Sequence, residues 1–331
     1  MNMNTFLNRY LEYEIAWPSF SQKQMASLAL LIIFIVFAAL EHNQPKYRLA
    51  LKLQLQSYCT NISLFLFNSA LLSLLSVSGL LMLAERYGEK GLLAQISNPW
   101  NQAVLALLIL DLTLYFWHRA CHRYEWLWRF HSIHHSDPAL NTSTAFRVHF
   151  VELLANSTIK AAYIFILGID KTVFLLNETL MTLFVMFHHS NISFPGEHYL
   201  KWLFIVPSLH RTHHSKQRHE HDSNYGAVFS LWDQLFATLV LHEPEAIGIK
   251  NQPPQHFFDL LKFGFQTSDK SEKAPSFTAD LQSMIAEAAY YKAEKRSFLA
   301  GDTLQDWVES EKEIYQLLGI NQESSHALGK H

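Results

Sequence analysis

Eight histidines fall in three short clusters: His118-Arg-Ala-Cys-His122, His131-Ser-Ile-His134-His135 and His210-Arg-Thr-His213-His214. On a helix, residues three and four apart share a face. Each cluster can therefore aim its imidazoles at one point. Neutral imidazole binds zinc, copper, iron and nickel. A closed zinc site takes four ligands, so eight converging imidazoles exceed what one ion uses. The spacing predicts a two-metal centre. Each cluster follows closely on a long apolar stretch, so the chemistry expected is redox or hydrolytic work on a lipid at a membrane surface. A zinc protease would carry HExxH, which is absent. A closed structural zinc site would favour cysteine, and only Cys121 of the two cysteines lies near a cluster.

The elements that must hold these clusters are read from hydropathy. The chain has 331 residues, 26 basic and 29 acidic, so no charge excess points to nucleic acid. With 14% aromatic and 17% charged residues it is apolar for a soluble enzyme. Residues 1–24 carry Arg9, Glu12, Glu14 and Lys23 and lack a cleavable apolar core, which argues against a secretory signal. Met25–Leu40, Asn61–Ala84 and Trp100–Trp117 read as spans. Asp111 in the third is costly in lipid unless it faces protein. Val151–Gly168 and Thr172–Phe187 form an apolar pair across the short link Gly-Ile-Asp-Lys, each weakened by polar residues such as Glu152, Lys160 and Glu178. Lys46, Arg48 and Lys52 mark the first link as cytoplasmic. The third span then runs inward, the pair returns the chain to the same side, and all three clusters share the cytoplasmic face.

The ordered motifs HRACH, WRFHSIHHSDPALNTSTAFRVHFVE, FHHSNI and PSLHRTHHS…HDSNYGAVFSLWDQLFAT resemble the sterol desaturase / fatty acid hydroxylase superfamily of integral-membrane di-iron enzymes. The resemblance runs from about Leu107 to Thr238. It implies metal ligation by His118, His122, His131, His134, His135, His210, His213 and His214, with His189 as a ninth. It also implies two iron ions, although zinc or another metal can occupy such a site as isolated. His149 lies in Arg147-Val-His149-Phe150-Val-Glu152, similar to the family's RxHPxE with Phe150 in place of proline; ligand, supporting partner and ordinary buried histidine are its open readings. Asn191, His221, Asp222 and Asn224 are further candidates for ligation or for orienting a ligand imidazole. His188 reads as packing, and Trp126, Trp128 and Trp232 as interfacial anchors. Arg119 and Arg211 are expected to pair with acidic residues beneath the site. No catalytic residue beyond the ligands is singled out.

The expected fold is all-α: a helical bundle of about four to five membrane helices, a cytoplasmic helical cap holding the dimetal site, and a small C-terminal helical hairpin. The divisions are 1–247 for the membrane hydroxylase domain, 248–275 for a linker and 276–331 for the hairpin. In the last, Thr278–Lys295 and Thr303–Leu318 read as helices, with Thr303 and Asp306 as a capping box and Trp307 with Tyr290 and Tyr291 as a small core. Ala279–Ile314 resembles a short domain of unassigned function found in bacterial proteins, which implies a bacterial cytoplasmic membrane. The resemblance implies a membrane oxygenase that hydroxylates or desaturates a lipid with O2. The chain has no cytochrome, flavin or iron–sulfur motif, so electrons are expected from a separate protein. The ligand set is equally suited to C–C or ether cleavage. The competing reading is a membrane metal-binding or transport protein without turnover; against it, ionisable residues within the spans are sparse.

Overall fold

The computed structural model describes residues 21–74, 79–88, 90–250, 255–266, 277–296 and 303–317. Residues 1–20, most of the segment judged for a secretory signal, lie outside them. The chain divides into two compact units, Met1–Phe265 and Gln266–His331. Among the described residues the regular elements are all helices, apart from two isolated bridges, Phe204 with Phe229 and Ser215 with Ile247.

Five long helices build the first unit: α1 (Gln22–Asn43), α2 (Leu51–Leu74), α4 (Pro99–Arg123), α6 (Phe150–Leu167) and α7 (Lys171–His189). Between and after them lie α3 (Gly79–Tyr87), α5 (Glu125–His135), α8 (Glu197–Leu200), α9 (Pro207–His213), α10 (Arg218–His221), α11 (Leu231–Leu235) and α12 (Phe257–Phe263). Three of these, α1, α4 and α6, are long and apolar enough to cross a membrane. On α1 the side chains of Leu28, Leu31, Ile32 and Ile35 are all exposed, as a lipid-facing helix requires.

Local chemistry sets the helix ends. Ser21 and Gln24 form a reciprocal capping box at the start of α1, with Ser21 N–H donating to Gln24 Oε1 at 2.8 Å. Asn98 caps α4, with Pro99 as its first residue. The tight link between α6 and α7 works because Gly168 takes φ +68° at the end of α6 while Asp170 caps α7. A Cβ on Gly91 would come within 2.0 Å of the Gly168 nitrogen, so this end of the bundle closes backbone against backbone.

The expected span Asn61–Ala84 falls on parts of two described helices. α2 begins ten residues earlier, at Leu51, and ends at Leu74; a new helix starts at Gly79. Its buried face is polar, with Ser57, Asn61 and Asn68 pointing inward. Asn61 donates to Asp137 Oδ2 at 2.9 Å and Asn68 to the Val148 carbonyl at 2.8 Å. Hydropathy alone missed this, because the leucines on its outer face dominate the average.

Asp111 faces protein. It is fully buried and accepts from the Val228 and Phe229 N–H groups at 2.9 and 3.0 Å and from Trp232 Nε1 at 2.8 Å. Three donors replace the lost water, which is how a carboxylate survives at that depth. Trp232 is thus held by Asp111 rather than serving only as an anchor.

Residues 255–265 do not behave as linker. The Gln255 carbonyl accepts from Thr60 at 2.8 Å, and Leu260 of α12 packs with Leu64 and Ile133 in a buried cluster. The apolar Phe-Phe-Asp-Leu-Leu-Lys-Phe run has a core face, and it finds one.

The second unit contains α13 (Phe277–Lys295) and α14 (Thr303–Leu317), matching the expected helices within a residue at each end. Their core is Ile285 with Ile314, joined by Ala288 and Tyr315. Tyr290 and Tyr291 are exposed and Trp307 is 38% exposed, so the aromatic core expected there does not form. Asp306 pairs with Arg296 across the two helices, and Thr303 is already helical.

Candidate metal centre

The cap-side ends of α1, α2, α4, α6 and α7 gather around the histidines. His118 and His122 occupy the last turns of α4, so the first cluster continues the apolar helix without a break. His131, His134 and His135 lie on α5, His189 ends α7, and His210 and His213 lie on α9 with His214 directly after it.

These nine side chains form two groups. His118, His122, His131, His135 and His213 make one; His134, His189, His210 and His214 make the other; within each, the candidate ligand atoms lie within 4.8 Å of one another. The groups abut, with His135 of the first stacked on His214 of the second at a centroid distance of 4.4 Å and 16°. Adjacent residues on a helix point about 100° apart, so the doublets His134-His135 and His213-His214 each send one ring to each group.

The hydrogen bonds on the outer nitrogens fix which atom faces in. Nδ1 of His118 donates to the Tyr225 carbonyl at 2.8 Å, that of His213 to Ser223 at 2.6 Å, that of His134 to Arg147 at 3.3 Å and that of His189 to Val185 at 2.7 Å. His131 Nδ1 donates to Glu152 Oε1 at 2.9 Å and His122 Nδ1 to Asp222 Oδ1 at 3.2 Å. Carbonyls and carboxylates only accept, so the proton sits on Nδ1 and Nε2 keeps its lone pair. Two of these bare Nε2 atoms face each other in each group: His118 with His131 at 3.1 Å, and His134 with His189 at 3.0 Å. His122 Nε2, His213 Nε2 and both ring nitrogens of His135 are buried without a partner. Apposed lone pairs repel, and orphaned buried nitrogens are costly. A cation between them removes both penalties. Two nitrogens bound to one ion at about 2.1 Å stand roughly 3 Å apart, the spacing present here. The residues fit a metal.

Burial, and then the neighbouring imidazoles, push the pKa of His131 and of His134 from 6.5 down to about 3. His135, His210, His213 and His214 are held well below 6.5 for the same reasons. The rings are therefore neutral and ready to ligate.

A buried polar lattice positions α5. Arg147 is fully buried; its Nε donates to the Ile133 carbonyl at 2.8 Å, one terminal nitrogen to Asn61 Oδ1 at 3.1 Å and the other to Ser136 Oγ at 2.9 Å. Asp137 accepts from Ser57, Asn61 and Thr144 at 2.7–2.9 Å. Although burial opposes it, the nearby Arg147 charge and these donors hold the Asp137 carboxyl below its ordinary value. Arg211, between two ligand positions, is buried and pairs with Glu243 at 2.7 Å, as expected of it.

The remaining candidates divide. Asp222 orients His122, and His221 joins these two in a smaller group while donating from Nδ1 to the Ser215 carbonyl at 3.0 Å. His149 lies outside both main groups. It caps α6, with Nδ1 accepting from Val151 N–H at 3.2 Å, and its Nε2 meets the Leu261 carbonyl at 3.2 Å. Asn191 and Asn224 bind backbone and touch no ring nitrogen: Asn191 exchanges hydrogen bonds with Tyr47, and Asn224, at φ 51°, ties Leu209 to Val240. His188 packs against His210 at 4.0 Å. Trp126 is exposed, as an anchor would be, but Trp128 stacks on His221 and lies 5.0 Å from His122, forming a wall of the site. The motif resemblance marks Glu152, but its pairing with His131, 21 positions away, is not legible in the sequence.

Residues 103–238 match the Fatty acid hydroxylase family. This stretch of the chain resembles a fatty acid hydroxylase domain. That domain begins within α4 and contains every histidine of both groups. The chain is 31% identical over 201 residues to the ornithine lipid hydroxylase OlsE of Rhizobium tropici, covering 59% of this chain and 60% of the relative. It is 33% identical over 145 residues to the alkylglycerol monooxygenase of Caenorhabditis elegans, covering 43% of this chain and 27% of the relative. With the human alkylglycerol monooxygenase it shares 28% identity over 170 residues, covering 51% and 37%. The chain thus spans less than two thirds of the curated relatives it matches, from 60% of OlsE down to 27% of the Caenorhabditis elegans protein. No solved structure matches it. Residues 280–316 match a family of unknown function, DUF2934. Three helices of spanning length, together with the match to the Fatty acid hydroxylase family, place the chain among membrane proteins.

Proposed function

We propose that this protein is a membrane lipid hydroxylase that holds two iron ions in its two imidazole groups. The five-histidine group takes one ion and the four-histidine group the other. The observation that carries the reading is the inward lone pairs: Nε2 atoms stripped of protons by their outer partners and set about 3 Å apart at the end of apolar helices.

Bound iron would supply O2 reduction and insertion of one oxygen atom into a C–H bond, the other oxygen leaving as water with two electrons and two protons. The chain's own residues do the rest. Glu152 and Asp222 hold His131 and His122 in the ligating tautomer. The Arg147–Asp137 lattice locks the helix that serves both groups. Trp128 and the buried rings exclude water, which protects a reactive site from side reactions.

An apolar substrate reaches this site from the bilayer, past helices whose outer faces are leucine and isoleucine. The relatives named above supply two headgroup classes for it, an amino-acid lipid and a glycerol ether. Electrons come from a separate carrier protein. The basic residues of the first link and around the clusters favour the cytoplasmic side, and the C-terminal resemblance favours a bacterial cytoplasmic membrane. A metal carrier without turnover is the weaker reading, because the imidazoles sit at the ends of the spans and are already fixed by outer partners.

The test is lipid profiling of a strain lacking the gene beside its parent and a complemented strain. One lipid shifted by the mass of an oxygen atom should vanish and return. Identical profiles in all three strains would refute the proposal.

A further inference from the structure

A cleft of about 300 Å3 lies against the link between α1 and α2, and two of its lining residues, Asn191 and Arg211, stand next to or near His189 and His210 in the chain. Its walls include Tyr47, Arg48, Leu140, Asn191, Arg211 and Glu245. Asn191 stands two residues after His189 and fastens the link through three hydrogen bonds, from Lys46 N–H at 2.8 Å, from Tyr47 N–H at 3.0 Å and to the Tyr47 carbonyl at 2.8 Å. The cleft is therefore pinned to a metal-ligand helix. Arg211 turns its charge inward to Glu243, which also takes the Tyr47 hydroxyl at 3.1 Å and Lys46 at 3.7 Å. Two solvent-exposed charges at the cleft, Arg48 and Glu245, of opposite sign, have no ion-pair or hydrogen-bond partner among the described residues. A second cleft of about 170 Å3 shares Leu49, Leu140 and Asn191 with the first and continues along Ala38, Leu51 and Leu55, toward the lipid-facing part of α1 and α2.

We infer that this pair of clefts is a headgroup subsite for a lipid whose polar end carries both an ammonium and an anion. The anion pairs with Arg48, the ammonium with Glu245, and the first part of the chain runs into the apolar cleft. A neutral diol headgroup leaves both charges without partners and discards the pairing energy. The inference rests on the lipid-hydroxylase reading and selects among its substrates.

The test uses the full chain, loaded with iron and kept in detergent, offered an equimolar mixture of lipids with matched chains: an amino-acid-headed lipid with free amine and carboxylate, a phosphatidylethanolamine, and a neutral monoalkylglycerol. Retained lipid is read by native mass spectrometry, and oxygen incorporation is followed on the same preparation after adding reductant. One or both zwitterionic lipids should be retained about tenfold over the neutral ether, the excess that two partly screened ion pairs provide. Which of the two is held identifies the anion. Arg48→Glu and Glu245→Lys should each abolish most of that preference with metal content kept, and Arg48→Gln should lower it less. Equal retention of all three lipids by the wild type, or an unchanged preference in both charge reversals, would overturn the subsite. Selective retention without oxygen incorporation would instead strike the proposed activity and leave the subsite standing.

Discussion

The Nε2 atoms of His134 and His189 stand 3.0 Å apart although the two residues lie 55 positions from each other, and the outer nitrogen of each ring is engaged by a backbone carbonyl. Two neutral rings so held present lone pair to lone pair. The arrangement is unfavourable in an empty protein and favourable around a cation. Several consequences can be measured.

Glu152→Gln keeps the size of the side chain but removes the carboxylate that fixes His131. Iron binding at the five-histidine group should weaken by about 10–100-fold while the other group is spared. A metal titration of the purified variant reads this directly, and unchanged affinity would mean that Glu152 does not set the tautomer.

Arg147→Met strips the buried lattice of its cation and leaves the Asp137 carboxylate facing donors without a counter-charge. The cost expected is about 3–5 kcal/mol of stability. Thermal unfolding followed by tryptophan fluorescence checks it; a transition within a degree of wild type would show that the lattice contributes little.

Acid should empty the centre. In the folded, metal-free site His131 and His134 titrate near 3, against 6.5 for a free imidazole. Above 6.5 both folded and unfolded forms are neutral, so folding carries no penalty. As pH falls from 6.5 toward 3 the unfolded chain gains protons that the folded site refuses, and stability declines across that window. Protons also compete with metal for the same nitrogens. Metal content and melting temperature measured together from pH 8 to pH 4 should decrease in step, and a melting temperature flat over this range would contradict the account.

How much of this was legible in the residues follows from helix geometry. The HxxxH spacing on α4 sends His118 and His122 to one group, whereas the HxxHH run on α5 places His131 and His135 in that group and His134 in the other. The division into five and four is harder to read. His134 and His135 are neighbours yet serve different groups, as do His213 and His214, because the split depends on how α5 and α9 are rotated against each other. The expectation for Trp128 failed for a related reason: an indole near a membrane suits an anchor and an aromatic wall equally, and only the position of His221 decides. His149 carries the family's motif histidine, but its neighbour Val151 offers an unsatisfied N–H at the start of α6, and capping wins. Tyr290 and Tyr291 read as core material, yet Ile285 and Ile314 already fill the narrow seam between α13 and α14.

Among the described residues, the C-terminal unit holds no member of either histidine group. Deleting residues 272–331 should leave metal content unchanged. Loss of metal on truncation, with the remaining chain still membrane-inserted, would assign that unit a part in building the centre.

A reporter fused after residue 215 tests sidedness, since Ser215 follows the last ligand position. A fusion active only in the cytoplasm is expected from the distribution of Lys46, Arg48 and Lys52. Activity confined to the outer side would invert the topology.

The most direct test counts iron in the full chain by plasma mass spectrometry, with X-ray absorption to identify the ligating atoms. The account predicts about two irons per chain in a nitrogen-rich shell, falling toward about one when either His213→Ala or His189→Ala removes a ligand from one group. Full occupancy in both variants, or a wild-type chain reconstituted under reducing conditions that binds no more than one ion, would contradict the claim that two sets of imidazoles each hold a metal.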